Sequence, residues 1–128
     1  MFTFTQPAAW LIILLTLTTL AAASGCSSKS EPASATAEQL QKSFQKAEPT
    51  IAQEVLQAGS ALQARNYTEA ILIMDRVVQS QPINDTQKKA VDALIIQTRQ
   101  AVQRNPKLDS PQLYQAMSDL MVRVHGEN

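Results

Sequence analysis

Apolar and polar positions follow two different patterns along this chain. From residue 8 to residue 23 the apolar run is interrupted only by Thr16, Thr18 and Thr19. From residue 37 onward apolar positions recur every three or four residues, the period of a helix with one buried face. One stripe carries Ile51, Val55, Ala58, Gly59 and Leu62, and a second Ala70, Ile71, Met74, Val77 and Val78. A third carries Val91, Leu94, Ile95, Thr98, Ala101 and Val102, and a fourth Leu113, Ala116, Met117, Leu120, Met121 and Val124. Start signals fall between the stripes. Thr36 with Gln39 has the spacing of a capping box opening "AEQLQKSFQKA", and Pro49 suits the first turn of the next helix. Asn66 with Glu69, Asn84 with Gln87, and Ser110 before Pro111 open the remaining three. Only Gly59 and Gly126 interrupt this region as glycines, and no segment alternates β-branched with polar residues. The predicted fold is all-α, a small antiparallel bundle in which each stripe buries against another helix.

The continuous apolar run calls for a different environment. As a helix it spans about 24 Å, short of the ~20 residues that cross a bilayer core. It suits the core of a secretory signal, followed by small residues where a peptidase cuts. Charge agrees with this division. The chain carries 11 basic and 11 acidic residues, and none of them precedes Lys29. Zero net charge gives no general footprint for nucleic acid or for an anionic surface.

At the end of the run stands Cys26, the sole cysteine. The sequence Ala23-Ser24-Gly25-Cys26 resembles the lipobox of bacterial lipoprotein signal peptides, with Ala23 where Leu is commoner. The resemblance implies a diacylglyceryl group on the Cys26 sulfur and cleavage between Gly25 and Cys26. Ser27 rather than Asp at the following position resembles the pattern sorted to the outer membrane, facing the periplasm, over retention at the inner membrane. The alternative from the residues alone is an exported soluble protein with Cys26 a spare thiol, a liability where disulfides form freely. The expected organisation is a signal peptide at 1–25, an acylated cysteine and flexible tether at 26–36, and a helical domain at 37–128. The tether expectation rests on "SSKSEPASATAEQ", which has no large apolar residue to bury.

A second resemblance covers "GSALQARNYTEAILIMDRVVQSQP", residues 59–82. Tyr67, Ala70, Ile71, Met74, Val77, Val78 and Pro82 fall where a tetratricopeptide repeat places its second-helix residues, and Gly59 and Leu62 fit its first helix. The resemblance implies a stack of two helix pairs as an alternative to a generic bundle. It also implies a partner-binding face built on Gly59, Leu62, Tyr67, Ala70 and Met74.

Candidate chemistry is sparse. His125 is the sole histidine, and a lone His near a chain terminus is ordinarily solvated. Glu48 with Glu54, Glu69 with Asp75, and Asp85 with Asp92 are spaced six or seven apart, which makes no metal or acid–base motif. Lys88 and Lys89 are flanked by Asp85 and Asp92 as helix-face partners. No glycine-rich phosphate loop or Gly-x-Ser-x-Gly occurs. The reading is therefore non-enzymatic, with no catalytic residue, metal, cofactor or small-molecule substrate. The expected role is a lipid-anchored cell-envelope protein, held to the membrane by its lipid and binding a protein partner. The alternative within the envelope is a structural lipoprotein that associates with itself.

Overall fold

A computed structural model describes residues 32–126. The described residues form five α-helices: α1 (Pro32–Ser43), α2 (Pro49–Gln63), α3 (Tyr67–Ser80), α4 (Asp85–Arg104) and α5 (Pro111–His125). A single 3-10 turn, Pro106–Leu108, links α4 to α5. No strand occurs among the described residues, and the chain is a small helical bundle.

The three asparagine and serine caps form as the sequence predicts. Asn66 Oδ1 accepts from the Glu69 amide at 3.3 Å. The Ser110 hydroxyl oxygen accepts from the Leu113 amide at 3.1 Å, ahead of Pro111. At α4 both bonds of the capping box are present: the Gln87 amide donates to Asn84 Oδ1 at 2.9 Å, and the Asn84 amide donates to Gln87 Oε1 at 3.0 Å. These bonds satisfy amides that a helix start leaves without intrahelical partners.

The first helix departs from expectation. It begins at Pro32, so residues 32–36, expected in the tether, form its first turn. Thr36 is not a cap. Its hydroxyl donates back to the Pro32 carbonyl at 3.0 Å inside the helix, the alternative local bond open to a threonine. The reason is visible in the burial pattern: Ala33, Thr36, Ala37 and Leu40 lie at helical spacing and are all buried. Ala33 is too small to register as part of an apolar stripe, yet it extends one.

Helix directions alternate along the chain. Pro32 lies beside Arg104, Asn105 and Leu108, while at the opposite end Gln87 Nε2 donates to the Ser43 carbonyl at 3.2 Å. Hence α1 runs antiparallel to α4. The bundle has one end formed by Pro32, the α2–α3 turn and the α4–α5 link, and another formed by the α1–α2 and α3–α4 links. The α2–α3 hairpin packs closely, α1 lies on α2 and α4, and α5 lies on α3 rather than on α4. The stack of two sequence-adjacent pairs is therefore only half realised. The Pro106–Leu108 turn carries the chain off α4, and α5 runs parallel to α3, joined by an ion pair between Arg123 and Asp75.

The core follows the four predicted stripes closely. Every named position is buried except Val78 and Met121, which are partly buried. The structure adds Leu40, Phe44, Tyr67, Ile73 and Ala90. Gly59 packs against α1 rather than α3. Its nearest neighbours lie in α1: a β-carbon placed there would sit 3.4 Å from Ala37 Cβ and 3.3 Å from Gln41 Nε2. The α2–α3 turn is closed by Arg65 and Asn66, whose amides donate to the Leu62 and Ala61 carbonyls at 3.0 and 2.8 Å. This is the pattern of a Schellman cap, with Arg65 at φ 62° in the left-handed position that glycine usually fills.

Two outcomes test this packing. Gly59→Ala should be neutral or stabilising, gaining up to about 1 kcal/mol of helix propensity against a contact that the mobile end of Gln41 can relieve. Gly59→Leu should cost at least ~2 kcal/mol by forcing α1 off α2. Thermal unfolding followed by circular dichroism separates the two. Gln87→Ala should lose about 1–2 kcal/mol, because it breaks both the capping box and the tie to Ser43. Gln87→Glu should recover the part that belongs to the box, since a carboxylate accepts the Asn84 amide but cannot donate to the Ser43 carbonyl.

Candidate functional site

Cys26 and Gly25, the acylation and cleavage residues that the lipobox resemblance implies, lie outside the described residues. The candidate partner-binding face lies within them and is internal. Leu62, Ala70 and Met74 are fully buried, and Gly59 and Tyr67 are buried as well. The physical reason is that small and large residues at helical spacing serve core packing just as well as they serve a groove. Here α1 and α5, packed against α2 and α3, cover the outer sides of the hairpin. A partner therefore has no access to Gly59, Leu62, Ala70 and Met74 in the folded bundle, and Tyr67 reaches the surface only at the edge of a cleft at the Pro32 end.

Two contacts of acidic side chains run across helices. Asp75 accepts from Arg123 Nε at 2.7 Å and from Gln79 Nε2 at 2.6 Å. His125 Nε2 lies 2.7 Å from Asp92 Oδ1. The sequence pattern had suggested Lys88 and Lys89 as the partners of Asp92, and had left His125 to solvent. Both new pairs involve the last turns of α5, whose closeness to α3 and α4 no sequence spacing reveals. All four side chains retain solvent contact, so the pairs fix the position of α5 rather than prepare a reactive group. Among the described residues, no three His, Cys, Asp or Glu side chains are gathered as metal ligands would be. Among the same residues no helix is long and apolar enough to cross a membrane.

Two of the surface concavities contrast in chemistry. Between the end of α1 and the start of α2, a shallow groove is lined by Phe44, Ala52, Val55 and Leu56, with Gln41, Lys42 and Gln45 among the lining residues. At the Pro32 end of the bundle, a cleft is lined by Arg65, Tyr67, Arg104, Asn105 and Leu108 beside Pro32, with no carboxylate in its wall. Large apolar side chains exposed elsewhere are Ile96 on α4 and Tyr114 and Val122 on α5. Both arginines of the cleft are visible in the sequence only as isolated charges, one in a turn and one at a helix end, and the topology brings them together. Comparison with known proteins places no further constraint on the site: no family model, no curated protein and no solved structure matches the chain.

The Asp75–Arg123 pair should contribute modestly, as exposed pairs do. A double-mutant cycle on Asp75→Ala and Arg123→Ala should return a coupling of roughly 0.2–1 kcal/mol, read from denaturant midpoints. A coupling at zero would show that α5 is held on α3 by apolar packing alone.

Proposed function

We propose that this protein is a lipid-anchored component of a bacterial cell envelope whose helical domain acts by binding another protein, without catalysis. The observation that carries the reading is Cys26 itself. It is the sole cysteine, it closes an uncharged apolar segment, and Ala23-Ser24-Gly25 precede it. A folded bundle begins only six residues later, at Pro32. A thiolate is the nucleophile suited to forming a thioether, and small neighbours let an extended backbone enter a protease cleft. Buried acyl chains contribute about 0.8 kcal/mol per CH₂, so a two-chain group on one residue holds where a single chain is marginal. Ser27 favours the outer membrane, facing the periplasm.

The binding role rests on the outer surface, because the Gly59 set is spent in the core. The groove floored by Phe44 and edged by Leu56, which is 45% exposed, supplies apolar area without a gathered set of polar groups that could act on a substrate. The titratable pairs described above tie helices together. Self-association is the second reading. It is favoured by Tyr114 and Val122, 50% and 63% exposed and two turns apart on α5.

Mass spectrometry of the mature amino terminus should show Cys26 as the first residue carrying a diacylglyceryl mass. Cys26→Ser should move the protein out of the membrane fraction. A soluble wild type cut elsewhere would overturn the anchor. Crosslinking in intact membranes should then capture a heterologous protein in stoichiometric amount. Capture of this chain alone, with concentration-dependent sedimentation in detergent, would favour self-association instead.

A further inference from the structure

The groove at the α1–α2 link does not end in a neutral rim. Its apolar floor is Phe44, Ala52, Val55 and Leu56, and Lys42 and Gln45 stand at its border. The same two residues line a neighbouring basin, which Lys46, Gln81, Ile83 and Asn84 help to enclose. Lys42 also lines a third hollow together with Lys89. Lys88 lines a fourth, which shares Gln81 and Ile83 with the basin. The apolar groove and the cationic basin are therefore one continuous surface. Among the described residues, Lys42, Lys46, Lys88 and Lys89 have no ion-pair partner, whereas Arg123 in the fourth hollow is held by Asp75. Glu38 is the sole carboxylate among the residues lining these four hollows. Glu48, Glu54 and Asp85 lie in the same part of the molecule without lining any of them. A chain with as many acidic as basic residues thus carries a local excess of positive charge beside its apolar groove.

We propose that this surface binds an acidic amphipathic helical segment of another protein, its apolar ridge seated in the groove and its carboxylates over Lys42 and Lys46. The inference rests on the protein-binding reading above and not on the lipid anchor. Two chemistries side by side select the occupant. An apolar groove takes a ridge of side chains recurring at helical period. Lysines at its border favour a ridge flanked by carboxylates and penalise one flanked by cations. Other occupants fit one half only. A polyanion has no apolar ridge, and a flat bilayer does not enter a concave groove. The chain's own apolar run at 8–23 carries no carboxylate. A second copy offers Ile96, Tyr114 and Val122, but the charges near them along α4 and α5, Asp92 with Arg99 and Asp119 with Arg123, cancel.

The full mature protein is placed in phosphatidylcholine nanodiscs, with empty nanodiscs as background, and titrated by fluorescence anisotropy. A chain found without lipid on Cys26 is titrated in buffer alone, so failure of the anchor does not touch this measurement. The probes are three labelled peptides of about four helical turns, each with leucine at helical period and glutamate, glutamine or lysine at every other position. The glutamate peptide should bind at least about tenfold more tightly than the glutamine peptide, and the lysine peptide should bind most weakly. Added salt should narrow the differences. Leu56→Ser should weaken the glutamate peptide about tenfold. Lys42→Glu combined with Lys46→Glu should invert the order, so that the lysine peptide binds tightest, a gain that a misfolded variant does not produce. Lys107→Glu, exposed at the Pro32 end, should leave the order unchanged. Equal affinity for the three peptides, or an order unmoved by the double reversal, would overturn the proposal. Polyglutamate bound as tightly as the glutamate peptide would assign the surface to polyanions and overturn it too. So would peptide affinity that falls as protein concentration rises, which would give the groove to a second copy. A heterologous partner captured by crosslinking while all three peptides fail would overturn this surface and leave the protein-binding reading standing.

Discussion

The bundle depends on how closely α1 can approach α2. A helix of 12 residues is marginal by itself in water, and α1 brings only Leu40 and Phe44 as large apolar residues near its end. It is held because its middle is small where α2 is small. Ala37 meets Gly59, with room for about one methyl group between them. That approach lets Leu40 and Phe44 reach complete burial. It also brings the Ser43 carbonyl to the Gln87 amide group, tying the end of α1 to the start of α4. Moving α1 outward by the width of one side chain would expose the inner faces of both α2 and α4, since α1 covers each of them.

The same contact explains which parts of the fold were legible in the sequence. Helix starts marked by a side-chain acceptor three residues before a free amide, at Asn66, Asn84 and Ser110, are local events and form as read. The stripes of α2 to α5 are legible because large aliphatic residues recur at helical period. The start of α1 is not, since its inner face begins with Ala33 and Thr36, residues that are equally at home in a tether. Neighbour relations are least legible. Sequence adjacency suggests α4 beside α5, but only the geometry of Asn105 and the Pro106–Leu108 turn decides that α5 crosses to α3. Asn105 leaves helical backbone at φ −136°, and its side chain accepts from the Lys107 amide.

The candidate site divides along the same line. The Cys26 proposal rests on four consecutive residues and on covalent chemistry, and it lies outside the described residues. The Gly59, Leu62, Tyr67, Ala70 and Met74 set was legible as a pattern of sizes, but a size pattern does not say which side of a helix pair is covered by a third element. In this chain α1 and α5 do the covering, and what reads as a partner groove becomes an internal crossing. The arginine cleft has the opposite history. Arg65 and Arg104 are 39 positions apart along the chain, and nothing local links them until alternating helix directions bring the end of α2 and the end of α4 to the same side.

That alternation also constrains how the proposed role can be carried out. Five helices with alternating directions put the start of α1 and the end of α5 at opposite ends of the bundle. An even number would have returned the chain to the membrane. With an odd number, an anchor before α1 leaves the α1–α2 link, the α3–α4 link and His125 facing away from the lipid. The groove of Phe44, Ala52 and Leu56 lies beside the α1–α2 link, at the end of the bundle opposite Pro32. Under the proposed anchoring, a partner in that groove would not compete with the membrane for the same end of the bundle. A bundle whose small-residue crossing loosened would lose this separation, because α1 connects the Pro32 end to the groove beside the α1–α2 link.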